Sequence, residues 1–155
     1  MPLKDHEKID LAERAERLTA EIYTVLAGKF AHDKEARALF ASLASEEGQH
    51  AMHIQMLRKR YFTSEIKSIQ LDTTNLERFL AEGEALKEIF AADDELEFDV
   101  VLLRMAEYED QLAGVHAHMM ISASDSSVKK FFEQCASLDK GHAQLLKKTE
   151  SLKLT

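Results

Sequence analysis

Two short motifs place a carboxylate and an imidazole three residues apart. Glu47 and His50 form the first pair, and Asp139 and His142 form the second. Residues at positions i and i+3 share one face of a helix, so each pair can offer a carboxylate oxygen and an imidazole nitrogen to the same metal ion. This spacing makes both pairs candidate metal ligands.

The ligand types in the chain limit the kind of metal. Cys135 is the single cysteine, which excludes the paired cysteines of a zinc ribbon or an iron-sulfur site within this sequence. Carboxylate and imidazole ligands suit iron or manganese, and zinc stays possible. We therefore expect a site built from nitrogen and oxygen ligands.

Each motif lies in a segment that occurs twice. Residues 40–50 resemble residues 132–142 without a gap. The helices that precede these segments also share a pattern, Ala-Glu followed by Leu-Ala-Gly. In this pattern Glu21 and Glu107 occupy equivalent positions. The repeat predicts two helical hairpins, each of which contributes one glutamate from its first helix and one acid-histidine pair from its second.

These acidic positions lie in phase with apolar residues. Glu21 lies between Leu18 and Val25, and Glu107 lies four residues after Leu103 and seven after Val100. The two acid-histidine pairs continue apolar stripes in the same way. Four carboxylates in an apolar interior would lose their charge unless cations neutralise them, and two divalent ions supply that charge. The pattern predicts a buried site for two metal ions, assigned to iron, with manganese or zinc as alternatives.

Other acids and histidines compete for these roles. Glu46 lies four residues before His50 and could share its helix face. The repeat places Leu138 at the position that matches Glu46, which favours Glu47 as the ligand. We expect His116, near the end of its helix, to lie in solvent or at an interface.

Helical periodicity and capping residues predict four long helices and one short helix. The long helices span residues 5–30, 34–61, 94–122 and 126–152, and the short one spans about 74–90. Residues 62–93 then form a crossover between a hairpin over 5–61 and a hairpin over 94–154. We predict one all-α domain over residues 1–155, a ferritin-like antiparallel four-helix bundle with one long crossover that contains the short extra helix.

The charge balance and hydropathy narrow the range of partners. The chain has a formal net charge of -8, and no basic stripe gathers on a predicted face, which argues against nucleic acid as a partner. No apolar run approaches the ~20 residues that a membrane span needs. We expect a protein without a membrane partner and with a cytoplasmic location.

Four segments resemble the ligand segments of the rubrerythrin-like branch of the ferritin-like superfamily. They read A-E-x4-L-A-G, E-E-G-Q-H, A-E-Y-E-D and L-D-K-G-H, and the resemblance covers nearly the whole chain. It implies a carboxylate-bridged di-iron centre. The implied bridging ligands are Glu47 and Asp139, and the implied terminal ligands are Glu21 and His50 on one ion and Glu107 and His142 on the other.

The resemblance also implies one more ligand and an activity. Rubrerythrins often carry a further acid one turn after the glutamate of the third long helix, and Asp110 stands there. Many members of the branch reduce peroxide or react with dioxygen, which implies an oxidoreductase that takes one of these small molecules. This sequence lacks the four cysteines of a rubredoxin-like module, so we expect electrons to come from an external donor protein. Members are commonly dimers, and we expect a homodimer.

Other functions fit the same sequence. The main alternative is a ferritin-like iron-binding or ferroxidase storage protein, which would form a large closed shell. Hydroxylation of an organic or nucleic-acid substrate by the same centre is a third interpretation. A helical interaction module with solvated acids is a fourth, and in that case replacing Glu47 or Asp139 would leave metal content unchanged.

Overall fold

The computed structural model describes residues 3–66 and 68–153, and every regular element in that part is an α-helix. The helices are α1 (Asp5–Lys29), α2 (Lys34–Phe62), α3 (Thr74–Ala92), α4 (Phe98–Ser122) and α5 (Ser126–Lys153). The all-α prediction is confirmed. The helix α4 begins four residues later than predicted, after a turn in which the Asp93 carboxylate accepts a hydrogen bond from the Glu95 N–H.

Short capped turns join the helices of each hairpin. Between α1 and α2, the Asp33 carboxylate accepts hydrogen bonds from the N–H groups of Glu35 and Ala36, at 3.1 Å each. Between α4 and α5, Asp125 accepts a hydrogen bond from the Val128 N–H at 3.1 Å. Such caps satisfy amides that have no partner within the helix. They turn the chain back, so that α1 packs along α2 and α4 packs along α5.

The crossover helix α3 packs against α1 and also contacts α4. Gly83 marks the closest approach, because a Cβ atom there would lie 2.7 Å from Leu18 Cδ2 and 3.0 Å from the Tyr108 hydroxyl. The ring of Phe79 packs against the ring of Tyr108, with centroids 4.6 Å apart. An added methyl group at this crossing would require Leu18 or Tyr108 to shift, and α3 thus lies close to both α1 and α4.

One core of apolar side chains runs through all five helices. In α1 the buried positions include Ala12, Glu16, Thr19 and Tyr23, at steps of three or four residues. The helical period thus carries a glutamate into the core together with the apolar residues. None of the helices in the described ranges has the length and apolar character needed to cross a membrane.

Candidate metal centre

Seven polar side chains from four helices meet inside the bundle, and we refer to them as the polar cluster. They are Glu16 from α1, Glu47 and His50 from α2, Glu109 and His116 from α4, and Asp139 and His142 from α5. Five of them are fully buried, and the imidazoles of His50 and His142 are nearly so. Buried charged groups are rare unless they are paired or bind metals, so the cluster marks a site.

The polar cluster contains two groups of residues with the spacing of metal ligands. In the first group, single ligand atoms of Glu16, Glu47, His50 and Asp139 all lie within 4.8 Å of one another. In the second group, the same is true of Glu47, Glu109 and His142. Glu47 belongs to both groups. Each group could hold a metal ion, and the Glu47 carboxylate is available to both.

Two imidazoles contact the carboxylates of the first group. His50 Nδ1 lies 3.3 Å from Glu47 Oε2 and 3.7 Å from Glu16 Oε2. His116 Nδ1 lies 2.5 Å from Asp139 Oδ2, and its Nε2 lies 3.2 Å from Glu16 Oε1. The first group therefore has an additional nitrogen donor beside it.

The second group contains one imidazole and a neighbouring phenol. His142 Nδ1 lies 2.9 Å from Glu47 Oε1 and 3.5 Å from Glu109 Oε1. The buried hydroxyl of Tyr23 donates a hydrogen bond of 2.7 Å to Glu109 Oε1. The rings of His50 and His142 stack with centroids 5.8 Å apart, so the two groups adjoin across this pair of rings.

The cluster leaves many polar atoms without a hydrogen-bond partner. Among the described residues, eight buried side-chain nitrogen or oxygen atoms have no such partner, and seven of the eight belong to the cluster. They are both carboxylate oxygens of Glu16, Glu47 Oε2, Glu109 Oε2, Asp139 Oδ1, His50 Nδ1 and His116 Nε2. Each unpaired buried polar group costs about 1–3 kcal/mol. The orphaned atoms are oxygens and imidazole nitrogens that point at one another, as ligands around cations do.

Within the part of the chain that the structure describes, no ammonium or guanidinium group pairs with a carboxylate of the cluster. In the described ranges, every ion-pair partner of Glu16, Glu47, Glu109 and Asp139 is a histidine. Burial raises the pKa of the Glu16 carboxyl to about 7, and the charge of Glu47 adds to this effect. Burial, together with the charges of Glu16 and Glu47, also raises the pKa of Asp139. The metal-free cluster therefore retains protons that a cation would replace.

The imidazoles titrate according to their carboxylate neighbours. Burial opposes the charged form of His50, but the neighbouring Glu16 and Glu47 carboxylates outweigh it and raise the pKa of His50 to about 10. In the same way, hydrogen bonds to Glu109 and Glu47 outweigh burial and raise the pKa of His142 to about 11. For His116 burial dominates and lowers the pKa. The chemistry and placement of these donors fit two divalent cations.

Comparison of the chain with protein-family models, with curated proteins and with solved structures found no match. The interpretation of the cluster therefore depends on its geometry and on the chemistry of its side chains.

The structure brings together four of the seven residues that the sequence singled out. The pairs Glu47 with His50 and Asp139 with His142 all lie in the polar cluster. Each pair is presented by one face of its helix, as the spacing predicted. Glu46, the alternative ligand to Glu47, is about half exposed and contacts Nε2 of His142, whereas Glu47 contacts Nδ1.

The other three predicted residues lie at the surface, outside the cluster. Glu21 pairs with Arg14 at 3.0 Å, and Asp110 pairs with Lys147 at 2.9 Å. The Glu107 side chain is 71% exposed. The expectation that Glu21 and Glu107 point into the core is wrong, and the Asp110 side chain is also about half exposed. Glu16 and Glu109 are the buried glutamates of α1 and α4.

The error has a physical reason in the phase of the two helices. Val100 and Leu103, which appeared to mark the core face of α4, are 57% and 46% exposed. In α1, Val25 is only partly buried. Glu107 shares the phase of the exposed Val100 and Leu103, so it faces outward with them. Glu21 lies between the buried Leu18 and the partly buried Val25, and its side chain pairs with Arg14 outside the cluster.

A signal for the buried acids was present in the repeat. The motif acids Glu47 and Asp139 lie 92 positions apart, whereas Glu21 and Glu107 lie only 86 apart. Glu21 and Glu107 can therefore be equivalent positions of the repeat only if the second hairpin has six more residues than the first between this glutamate and the acid-histidine motif. Glu16 and Glu109 lie 93 positions apart, so the two hairpins differ by only one residue between this glutamate and the motif. His116, expected near solvent, lies in the cluster two turns after Glu109.

Proposed function

We propose that the protein binds two divalent metal ions, iron or manganese, in the polar cluster. One ion would be held by Glu16, Glu47, His50 and Asp139, and the other by Glu47, Glu109 and His142. The observation that carries the proposal is the set of seven orphaned ligand atoms in the buried cluster. Four carboxylates and two divalent cations also balance in charge when the imidazoles are neutral, which removes the cost of burying them.

The ligand pattern supports a ferritin-like di-iron carboxylate centre. In such proteins one glutamate comes from each of two helices, and the other two helices each contribute a Glu-x-x-His motif. Here α1 and α4 carry Glu16 and Glu109, while α2 carries the Glu47 motif and α5 carries the Asp139 motif. The shorter Asp139 replaces one of the usual glutamates. Oxygen and nitrogen ligands without thiolate favour iron or manganese.

We further propose that the centre reduces peroxide or dioxygen. Two redox-active ions, when bound, can supply two electrons, and hydrogen peroxide with two protons and two electrons gives two molecules of water. The protein would fix the ligands and limit the access of water, because the cluster is buried among apolar side chains. The Tyr23 hydroxyl holds Glu109 by a hydrogen bond. A separate donor protein would replace the electrons.

Metal content is the first test, and the chain provides matched controls for it. Protein purified from cells supplied with iron and manganese is measured by plasma mass spectrometry. We expect about two ions per chain in the wild type and a loss in Glu16→Gln, Glu109→Gln and Asp139→Asn. The control variants are Glu21→Gln, Glu107→Gln and Asp110→Asn. Loss in the controls with retention in the first set would support the original sequence assignment and contradict the centre proposed here.

Activity is tested on protein loaded with Fe(II) without oxygen. We expect peroxide or dioxygen to oxidise the bound iron rapidly in the wild type, with a much slower reaction in Asp139→Asn. Size-exclusion chromatography then distinguishes an enzyme from a storage protein. A closed shell that accumulates many iron ions per chain would favour the storage function over peroxide or dioxygen reduction.

A further inference from the structure

One imidazole of the polar cluster connects the buried ligands with the protein surface. His142 Nδ1 faces Glu47 and Glu109 in the second group, at 2.9 and 3.5 Å. Its other nitrogen, Nε2, lies 2.6 Å from Glu46 Oε2. The imidazole is almost completely buried, whereas the Glu46 side chain is about half exposed. His142 is therefore held from both sides.

Among the described residues, no exposed carboxylate pairs with His50, the matching histidine of the first hairpin. His50 also directs Nδ1 at cluster carboxylates, and its ring stacks on the ring of His142 with an angle of 12° between the planes. The repeat places Leu138 at the position equivalent to Glu46, and Leu138 is likewise about half exposed. Among the described residues, Glu46 is the only exposed carboxylate that contacts an imidazole of the cluster. The two hairpins thus differ at this position.

A carboxylate on the outer nitrogen of a histidine has a known effect on metal binding. A metal-bound histidine usually donates its second N–H to a carboxylate, a carbonyl or water, which fixes the tautomer and the ring orientation. With Nε2–H donating to Glu46, the Nδ1 lone pair of His142 points at Glu47 and Glu109. That group has only three protein ligands within reach of one another, so the orientation of its single imidazole matters more than in the larger group.

We propose that Glu46 is a positioning residue that sets the affinity of one ion position, the one formed by Glu47, Glu109 and His142. The other position, at Glu16, Glu47, His50 and Asp139, is not under this control. The inference rests on the proposed function, since it requires that the cluster binds two ions. It adds a second difference between the two positions, which already differ in the number of ligands within reach of one another.

The test is calorimetric titration of the chelator-treated full chain with Co²⁺ as the probe. We expect wild type to bind two ions. Glu46→Leu, which copies the equivalent leucine, should bind one ion normally and the other about 10–100-fold more weakly. Glu46→Gln should show a smaller loss, because its amide oxygen still accepts a hydrogen bond from Nε2–H. Glu107→Leu removes an equally charged exposed side chain that does not contact the cluster, and it should match the wild type.

Each outcome decides between the two proposals. If the wild type binds two ions and Glu46→Leu keeps both affinities, the role of Glu46 is refuted and the two-metal site stands. If Glu46→Leu and Glu107→Leu weaken both ions equally, the effect is one of overall charge, and the positioning role is again refuted. If wild type binds no Co²⁺, the two-metal site fails and the role of Glu46 fails with it. Circular dichroism verifies that each variant retains its helices.

Discussion

Replacing Glu16 with glutamine should change the stability of the metal-free and metal-loaded protein in opposite directions. The Glu16 carboxyl is fully buried, and burial, together with the charge of Glu47, raises its pKa from 4.5 to about 7. This difference corresponds to about 3 kcal/mol of cost for the ionised carboxylate in the folded chain. Because the folded state binds the proton more tightly, the cost is absent below about pH 4, grows between about pH 4.5 and 7, and is complete above that range.

Glutamine has nearly the same shape as glutamate but never carries the charge. In the presence of a chelator at about pH 8, we expect Glu16→Gln to be more stable than wild type by about 3 kcal/mol. For a chain of this length, that free energy corresponds to a rise in Tm of roughly 6–12 °C. At about pH 4 the two proteins should unfold at nearly the same temperature. With metal ions present the order should reverse, because the variant has lost an anionic ligand.

Thermal unfolding followed by circular dichroism measures all of these differences. Melts are recorded at about pH 4, 6 and 8, each with chelator and with saturating Mn²⁺. Glu21→Gln is the matched control, since this glutamate is partly exposed and pairs with Arg14, and it should show no comparable rise. A metal-free Glu16→Gln protein that is less stable than wild type at about pH 8, or a difference that does not vary with pH, would refute the reasoning.

Three further predictions concern the protons, the phenol and the crossover helix. The pKa values of His50 and His142 are raised to about 10 and 11, so both imidazoles carry a proton at neutral pH. Metal binding should therefore release at least two protons per chain and become tighter as pH rises. Calorimetry in buffers of different ionisation enthalpy measures the number of protons released. Tyr23→Phe removes the hydrogen bond to Glu109 and should lower the free energy of unfolding of the metal-free protein by about 1–3 kcal/mol in urea titrations. Gly83→Ala should destabilise the bundle by about 1–3 kcal/mol through overpacking. Gly114→Ala, where an added Cβ meets nothing within 4 Å, should leave the bundle as stable or slightly more so.

The positions of the helices were predictable because local signals define them. Asp33 lies just before the segment in which apolar residues recur at helical spacing, and in the structure its carboxylate caps α2. The turn before α5 contains Asp125, which caps its helix in the same way. The start of α4 was less predictable, since residues 94–97 are compatible with a helix and only the turn at Asp93 excludes them. The close approach of α3 at Gly83 depends on side chains from two other helices, which no local pattern reveals.

The site was predictable where a motif and its helix phase agreed. Glu47 and His50 lie within an apolar stripe that is truly buried, between Leu43 and Ile54. In α4 the apolar residues follow two phases, and the phase that contains Val100 and Leu103 is the exposed one. A single sequence does not distinguish an apolar stripe that faces the core from one at the surface. That distinction requires the packing of the neighbouring helices, and the spacing of the repeat was the one sequence signal that favoured Glu16 and Glu109.

The polar cluster opposes folding when no cation is bound, and this cost is itself an argument for ligand binding. Apolar side chains of similar volume in place of a buried ionic group often stabilise a protein by about 1–4 kcal/mol. Four buried carboxylates whose ion-pair partners, among the described residues, are all histidines are therefore expensive for a bundle that has an otherwise apolar core. Ions that bind here remove that cost and also form ligand bonds, and they bind only the folded arrangement. Metal binding should therefore stabilise the whole bundle. The metal-free chain should unfold more readily than the metal-loaded chain and should be degraded first.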